Sequence, residues 1–461
     1  MDKDQQLSYV KKFNGCACQS VPTVRNRRLK LRDFRKKLIA AKAEIYAALV
    51  ADLDRSQLDT LLSEFFPLVE IIRYLERNLK RLSISRKLPG SMMTFPASAR
   101  LYREPYGKVL VISTWNYPLL LTLEPVVGAY AAGNQVILKM SPRSPHTNEA
   151  IRKVLRSVFS SDEVLIMDDT VTLPELLSAR FDHIFITGSS STGKLVMAKA
   201  AENLTPVTME LGGRNPCIVG ENANLTLAAR RIVWGKFFNA GQSCAAPDHL
   251  LVQRSVKDKL LNKIAAEIRR MYGENPLESP DLCSLPDQES YQRVVKLISS
   301  GRLVAGGDVD PQKLMVAPTV IDRLEDDSPL FSGEVFGPVL PVKEFATEEE
   351  LWVHLHSGER PLAAYCFGGS EALKNKLIRR YSCGAIIFND VLLHFSNMHI
   401  PFGGVGFSGF GAYHGEKTFT VFTHEKPVMT QLKNIDLPFR YPPHCRLVRK
   451  FLEIIFRLGG K

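Results

Sequence analysis

The 461-residue chain contains no run of about 18 apolar residues, so no helix that spans a bilayer is expected. Its opening, MDKDQQLSYVKKF, lacks the apolar stretch of a secretory signal, and none is expected. Cysteine is sparse: Cys16, Cys18, Cys217, Cys244, Cys283, Cys366, Cys383 and Cys445 are scattered without a dense spacing pattern. That argues against a disulfide framework and for reduced thiols in a cytoplasmic setting. Cys16 and Cys18 stand close together with no second pair, so no zinc site and no other metal site is expected. There is no internal repeat and no low-complexity tract.

What is present is ample material for folding. The length exceeds one core and predicts two or three domains. Apolar residues make up 45% of the chain, an ordinary share for a globular protein. The net charge of +12 is concentrated in RNRRLKLRDFRKK (25–37), RNLKRLSISRK (77–87) and the C-terminal tail. Such charge suits an anionic partner, nucleic acid or membrane; solvated helix faces account for it more simply.

The hydrophobic pattern changes along the chain. Leu29, Leu31, Phe34, Leu38, Ile39 and Ile45 recur at helical spacing and predict two or three helices over 24–80. From about residue 105, short β-branched runs alternate with helical stretches: KVLVIST (108–114), LLLTLEPVVGAYAAG (119–133), QVILKM (135–140), NEAIRKVLRSVF (148–159), VLIMDD (164–169), LPELLSARF (173–181) and HIFITG (183–188). That alternation predicts a parallel sheet covered by helices. A second α/β series starts near 212, with PCIVG, LAARRIVWGKFF, DHLLVQ and VKDKLLNKIAAEIRRMY. Residues 426–446 read as an extended excursion.

Three stretches have the texture of a site. FITGSSSTGK (185–194) joins a strand to a helix, where free N–H groups suit an anion. It nearly matches a P-loop, but Leu195 stands where the magnesium-holding hydroxyl belongs, and it is not G-x-G-x-x-G. TMELGGRNP (208–216) sets Glu210 at the end of an apolar run, as a general base or as a salt-bridged structural residue. NAGQSCAAP (239–247) sets Cys244 among small residues, as a nucleophile or as a buried thiol. The residues alone leave each pair open.

Taken together, TWNYP (114–118), FITGSSSTGK, MELGGRNP, FFNAGQSCAAPDHLLV, GEVFGPVLPV (333–342) and PFGGVGFSGFGAYHG (401–415) resemble the aldehyde dehydrogenase superfamily in order and spacing, from about 12 to 458. FSGFGAYHGEKTFTVFTHEKPV (407–428) resembles family 3, which handles medium- and long-chain aliphatic or aromatic aldehydes. The resemblance implies an α/β fold. An NAD(P)-binding, Rossmann-like domain would span 1–83 and 105–210. A catalytic α/β domain would span 211–418, its last part returning to the cofactor domain. A bridging β arm, 84–104 and 419–432, would join two subunits. It implies NAD(P)-dependent oxidation of an aldehyde to the acid. Cys244 would be the nucleophile and form a thiohemiacetal. The Asn116 amide and the Cys244 N–H would hold the oxyanion, and Glu210 would activate water against the thioester. Gly188, Ser189, Ser190, Ser191, Thr192 and Gly193 would line the cofactor's pyrophosphate. Trp115 and Lys139 would lie along the nucleotide, and Glu334 and Phe336 would hold the nicotinamide end. Asn389, Phe402 and His414 sit in similar segments and receive no role.

The chain departs from the family at Lys139-Met140-Ser141-Pro142, where the family usually shows K-P-S-E. The carboxylate that would accept from the adenosine ribose and repel a 2′-phosphate is absent, so NADP is expected to serve at least comparably with NAD. CSLPDQESYQRV (283–294) also departs from the usual segment. Two alternatives stand beside this reading. An acylating relative would release the acyl group to coenzyme A or phosphate, but such relatives generally lack a glutamate like Glu210. A silent scaffold would be expected to lose Cys244, Glu210 or Asn116, and all three are here. A homodimer without nucleic acid is expected. The tail CRLVRKFLEIIFRLGGK (445–461) predicts an amphipathic basic helix from about 443, stopped by Gly459 and Gly460. It would pack over the substrate tunnel or the partner subunit, or lie on an anionic membrane surface. The expected setting is therefore cytoplasmic, with peripheral membrane contact as the variant.

Overall fold

The structure, a computed structural model, describes residues 2–12, 21–91, 94–325, 327–437, 440–443 and 446–459. Cys16, Cys18, Cys445 and the expected helix stop at Gly460 lie outside the described residues, as do the side chains of 451, 452 and 455–459. The five described cysteines are all free thiols. The chain divides into a larger unit, Met1–Leu82 with Pro105–His424, and a smaller one, Ser83–Glu104 with Glu425–Lys461.

Two sheets organise the larger unit. The first has six strands in the order Gly409–Phe410, Val207–Glu210, His183–Thr187, Lys108–Ile112, Gln135–Lys139, Val164–Ile166. Its pairings are parallel except for the edge strand Gly409–Phe410, which runs antiparallel to Met209 and Glu210. Lys108–Ile112 and His183–Thr187 are buried throughout, as strands covered on both faces must be. The helix Leu120–Ala132 is buried all round, because LLTLEPVVGAYAA has no continuous polar face. It ends at Gly133, whose φ of 104° needs glycine.

The second sheet has seven strands: Arg302–Ala305, Thr319–Asp322, Val339–Phe345, His249–Gln253, Pro216–Val219, Ala363–Phe367, Ala385–Phe388. Only the Arg302–Ala305 edge is antiparallel. The first sheet carries Trp115, Asn116, Lys139, Gly188 and Glu210 at or just beyond the carboxyl ends of its strands, where ligands of such sheets bind, whereas Cys244, Glu334 and Phe336 lie in loops that lead into strands of the second sheet.

The N-terminal helices are Val24–Ala40, Lys42–Leu53 and Phe66–Ser83, with a short helical turn and a π-helical turn at Leu61–Phe65 between the last two. Leu31, Phe34, Leu38 and Ile45 are fully buried as their spacing predicts. Leu29 and Ile39 are not: they are 46% and 43% exposed, because each lies off the 27-31-34-38 stripe that turns inward. The helix expected over 173–181 stops at Leu177. Within 283–294, a helix begins at Gln288, capped by the Asp287 carboxylate on the Ser290 N–H.

In the smaller unit, Arg86–Leu88, Ser98–Pro105 and Thr423–Thr430 form a three-stranded sheet, so the excursion after 426 starts as a strand. The tail helix runs Arg446–Gly459, beginning later than the 443 expected. Among the described residues, no helix is long and apolar enough to cross a membrane.

Candidate active site

The loop before Cys244 is held in an uncommon backbone path. Asn239 and Ala240 lie at φ 52° and 51°, and Gly241 at 71°. Successive left-handed residues are costly for anything but glycine and persist only when neighbours impose them. The Asn239 carbonyl accepts from Gln242 Nε2 at 3.1 Å, and Asn239 Nδ2 donates to the Gln242 carbonyl at 3.2 Å. A Cβ at Gly241 would come within 2.3 Å of the Gly337 carbonyl oxygen, so this position excludes any side chain. Beyond the turn, Asn215 Nδ2 donates to the Cys244 carbonyl at 2.7 Å and the Ala246 carbonyl at 2.9 Å. The nucleophile loop is thereby pinned on both sides of its sulfur.

Asn116 reaches the same loop from the other sheet. Its Nδ2 donates to the Gln242 carbonyl at 2.9 Å. Cys244, like Leu392 and Phe395, packs against an apolar cluster that includes Ala245, Phe402 and Tyr413. Solvent touches part of the residue, but burial of the sulfur pushes the thiol up to about 12, with the Glu334 and Glu210 charges adding to the rise. Sulfur also accepts from the N–H groups of Cys244 and Ala245, which favours the thiolate, but not enough to offset burial.

Glu210 ends its strand with both carboxylate oxygens buried and without a protein partner among the described residues. Burial first, and the Glu124 charge second, raise its pKa well above the usual carboxylate range. A structural salt bridge is therefore not what this glutamate makes. Among the described residues, no cluster of His, Cys, Asp or Glu suits a metal.

The remaining sequence-derived residues fall into two groups. Trp115 and Phe336 meet edge to face at 5.7 Å. Glu334 lies so close over Gly212 that a Cβ there would sit 2.2 Å from its oxygen, and it accepts from the Gly213 N–H. Burial and the Asp248 charge raise Glu334 to about 8, against Gly213, Lys236 and Arg293. The second group stands at the carboxyl ends of two strands of the first sheet, Gln135–Lys139 and His183–Thr187, which flank Lys108–Ile112. Lys139 donates to the carbonyls of Asp168 and Asp169 at 3.2 and 3.1 Å. Ser189 caps the helix Ser190–Ala201, accepting from the Thr192 N–H, with the Ser191 and Thr192 hydroxyls at 2.8 and 2.9 Å. Ser190 donates to the Phe407 carbonyl at 3.3 Å.

The two glycines of that loop differ. A Cβ at Gly188 would meet nothing closer than 3.8 Å, leaving room for a ligand, whereas one at Gly193 would press on Leu211 at 3.0 Å, so Gly193 serves helix-to-strand packing. The open backbone over a helix N-terminus suits a pyrophosphate, and the Glu334 carboxylate suits a ribose hydroxyl. These residues fit a dinucleotide.

Sequence reading missed the residues that hold the others. Arg55, fully buried, donates Nε and Nη2 to Asn239 Oδ1 at 3.1 and 2.7 Å, and Nη2 also to the Asn116 carbonyl. Its guanidinium pairs with Glu64, whose other oxygen accepts from the N–H groups of Leu119 and Leu120 at 2.7 and 3.1 Å. Arg293 holds the Glu334 loop by donating to the Val335 and Phe336 carbonyls at 2.8 and 3.0 Å. No local pattern marks either arginine: Glu64 is nine residues from Arg55, but Asn116 and Asn239, and the Val335 and Phe336 carbonyls that Arg293 holds, are distant in sequence.

Two doubly wound sheets, a dinucleotide cradle and a buried thiol beside an unpaired carboxyl define the class: an α/β oxidoreductase equipped for covalent catalysis. The Aldehyde dehydrogenase family model matches residues 19–428, and the chain belongs to the aldehyde dehydrogenase family. It is 38% identical over 424 residues to Aldehyde dehydrogenase family 3 member A2 of Rattus norvegicus, covering 91% of this chain and 88% of that protein. It is 34% identical to the 4,4'-diaponeurosporen-aldehyde dehydrogenase of Staphylococcus aureus, covering 92% and 94%. The solved substrate-bound state of Staphylococcus aureus AldH superposes with a TM-score of 0.94 at 34% identity, covering 99% of this chain and all of that one. The chain is thus an enzyme of aldehyde oxidation with NAD or NADP as cofactor.

The buried thiol gives a direct test. With a pKa near 12, the free enzyme carries little thiolate at neutral pH. Alkylation of Cys244 by iodoacetamide without cofactor should climb steadily from about pH 7 to 10, roughly tenfold per unit. A plateau near pH 8 would contradict the desolvated site.

Proposed function

We propose that the chain is a non-acylating aldehyde dehydrogenase for apolar, medium- or long-chain or aromatic aldehydes, and that Cys244, Glu210 and Asn116 carry its chemistry. The observation that carries this reading is the buried carboxyl of Glu210, unpaired by protein and acting electrostatically on the thiol. As the Cys244 sulfur attacks the carbonyl carbon, its S–H proton passes to the ionised Glu210 carboxylate and on to solvent, and the carbonyl electron pair moves onto oxygen, where an Asn116 side-chain N–H receives it. Bound NAD or NADP supplies the hydride acceptor. Glu210 then takes a proton from water as its oxygen attacks the thioester, and the C–S bond breaks to release the acid. The aromatic and aliphatic wall around Cys244 supports an apolar substrate, as does the polyene aldehyde in the name of the Staphylococcus aureus relative.

Cys244→Ala should abolish turnover while leaving cofactor binding near wild type; activity above about 5% would refute the nucleophile, since removing such a group normally costs orders of magnitude. Glu210→Gln should retain a first-turnover burst and then stall. Since the Glu210 pKa is raised, its base form grows with pH, so wild-type turnover should rise with pH and the mutant should lose that limb.

Cofactor choice turns on Pro142. Pro142 has no carboxylate to repel a 2′-phosphate, while Lys139 stands nearby in sequence. Arg143 is engaged by Asp287 at 3.1 Å and Glu289 at 3.6 Å, which leaves Lys139 the main cation of this segment. NADP should serve at least comparably with NAD; a kcat/KM preference for NAD beyond about 100-fold, roughly 2.7 kcal/mol, would overturn this.

The domain roles and the assembly belong to the same reading. The strand Thr423–Thr430 is exposed from residue 424 onward, an uncovered edge that suits pairing with a second copy. In the tail, Leu447 and Ile454 are exposed among Arg446, Arg449 and Lys450, which suits an apolar cover or an anionic surface. Sedimentation of the full chain should give a dimer. With anionic vesicles, salt-sensitive binding that deletion of 446–461 removes would identify a membrane surface. No vesicle binding, with altered aldehyde chain-length preference after the deletion, would identify a tunnel cap.

A further inference from the structure

Five successive carbonyls around Cys244, from Gln242 to Ala246, are all taken by donors. The Gln242 carbonyl accepts from Asn116 Nδ2 and Asn239 Nδ2 at 2.9 and 3.2 Å. The Ser243 carbonyl accepts from the Ala246 N–H at 3.0 Å, which closes a turn with Cys244 and Ala245 at its centre. The Cys244 and Ala246 carbonyls accept from Asn215 Nδ2 at 2.7 and 2.9 Å, and the Ala245 carbonyl accepts from the Tyr365 hydroxyl. The turn itself needs only its bond between 243 and 246. Asn215 and Tyr365 are fully buried and lie beyond that need, and the chemistry above gives neither a part.

Both residues come from neighbouring strands of the second sheet. Asn215 stands one place before Pro216–Val219, and Tyr365 lies within Ala363–Phe367, opposite Cys217 in the parallel register. Asn215 Oδ1 accepts from the Ala363 N–H at 2.9 Å, so the oxygen and the nitrogen of its amide are both fixed. The Asn215 carbonyl accepts from the Asp248 N–H at 2.8 Å. Close approach makes this reach possible: a Cβ at Gly213 would sit 3.1 Å from the Pro361 Cα. The Tyr365 ring lies beside His394, with 6.5 Å between ring centres. The second sheet thus grips the turn through two side chains.

A peptide group is planar and trans, so its C=O and N–H point in opposite directions. The central peptide of a turn can rotate so that the two exchange sides, which is what separates turn types I and II. In this turn the central peptide joins Cys244 to Ala245. With the Cys244 carbonyl on Asn215, the Ala245 N–H faces the other way, toward the sulfur that accepts from it. The Tyr365 bond fixes the next peptide in the same manner. An N–H aimed at a sulfur favours the thiolate.

We propose that Asn215 and Tyr365 are positioning residues for Cys244: by holding the Cys244, Ala245 and Ala246 carbonyls, they keep the Ala245 N–H turned to the sulfur as its proton leaves. The inference rests on Cys244 acting as the nucleophile. Both residues act through the main chain, and no bond to either forms or breaks. A plain packing role would have the opposite consequence. Loosening the turn would uncover the sulfur to water and ease its ionisation, whereas losing the N–H makes ionisation harder.

Asn215→Ala removes both amide donors, and Tyr365→Phe keeps the ring and removes only the hydroxyl. Full-length enzyme without cofactor is treated with iodoacetamide at about pH 8, and alkylation of the Cys244 peptide is followed by mass. Asn215→Ala should be alkylated about fivefold more slowly than wild type, because fewer thiolates form while each is more nucleophilic. Tyr365→Phe, which loses one bond of the three, should be about threefold slower. With NAD and a fatty aldehyde, acyl formation on Cys244 in the first turnover should slow by at least those factors, with NAD binding retained. Alkylation of Asn215→Ala at the wild-type rate or faster, or first-turnover acyl formation at the wild-type rate, would overturn the proposal. If Asn215→Ala fails to fold, as judged by lost NAD binding, Tyr365→Phe decides by the same two readouts. Should Cys244→Ala keep its turnover, it is the nucleophile assignment that fails, which the alkylation rates do not depend on.

Discussion

The active site depends on one buried guanidinium. Arg55 joins three segments: the N-terminal helices through Glu64, the loop after the strand Lys108–Ile112 through the Asn116 carbonyl, and the loop before Cys244 through Asn239. Glu64 completes the clamp by accepting from the first N–H groups after Tyr117, so the helix that follows Asn116 is fixed at its start. The Arg55 guanidinium also stacks 4.9 Å from the Tyr117 ring centre. Removing one partner of such a buried pair costs about 3–5 kcal/mol, because the other charge is left unmatched. That charge is retained where an apolar pair would pack as well, which places its value in geometry rather than stability.

Around this clamp the protein tolerates what it avoids elsewhere. Two non-glycine residues stand in left-handed conformation, a thiol is desolvated, and two carboxyls, Glu210 and Glu334, are held above their usual range. Each feature is unfavourable alone and useful together. In the proposed reading the same apolar surroundings that raise these pKa values would also favour an apolar substrate.

Much of this was legible in the sequence, and the limit is physical. The alternation of β-branched runs and helical stretches placed the strands of the first sheet, because strands buried on both faces read as unbroken apolar runs. Leu29 and Ile39 misled, since composition cannot say which of two helix stripes faces inward. Cys244, Glu210 and Asn116 could be singled out as a candidate set only through family resemblance, since each alone was ambiguous. Arg55, Glu64, Asn215 and Arg293 were not legible. Their partners lie at separations of up to 184 residues, and a buried arginine has the same letter as a solvated one. The same holds for Glu124 and His414, 290 residues apart and hydrogen-bonded in the core.

The central claim is that the acyl group is carried on Cys244. Its most direct test is peptide mapping of wild-type enzyme, quenched in the first turnover with NAD and a long-chain aldehyde. The account predicts an acyl mass on the peptide that contains Gln242, Ser243 and Cys244, and on no other cysteine. Acid formed with no adduct on that peptide, or an adduct on Cys217, Cys283, Cys366 or Cys383 instead, would contradict it.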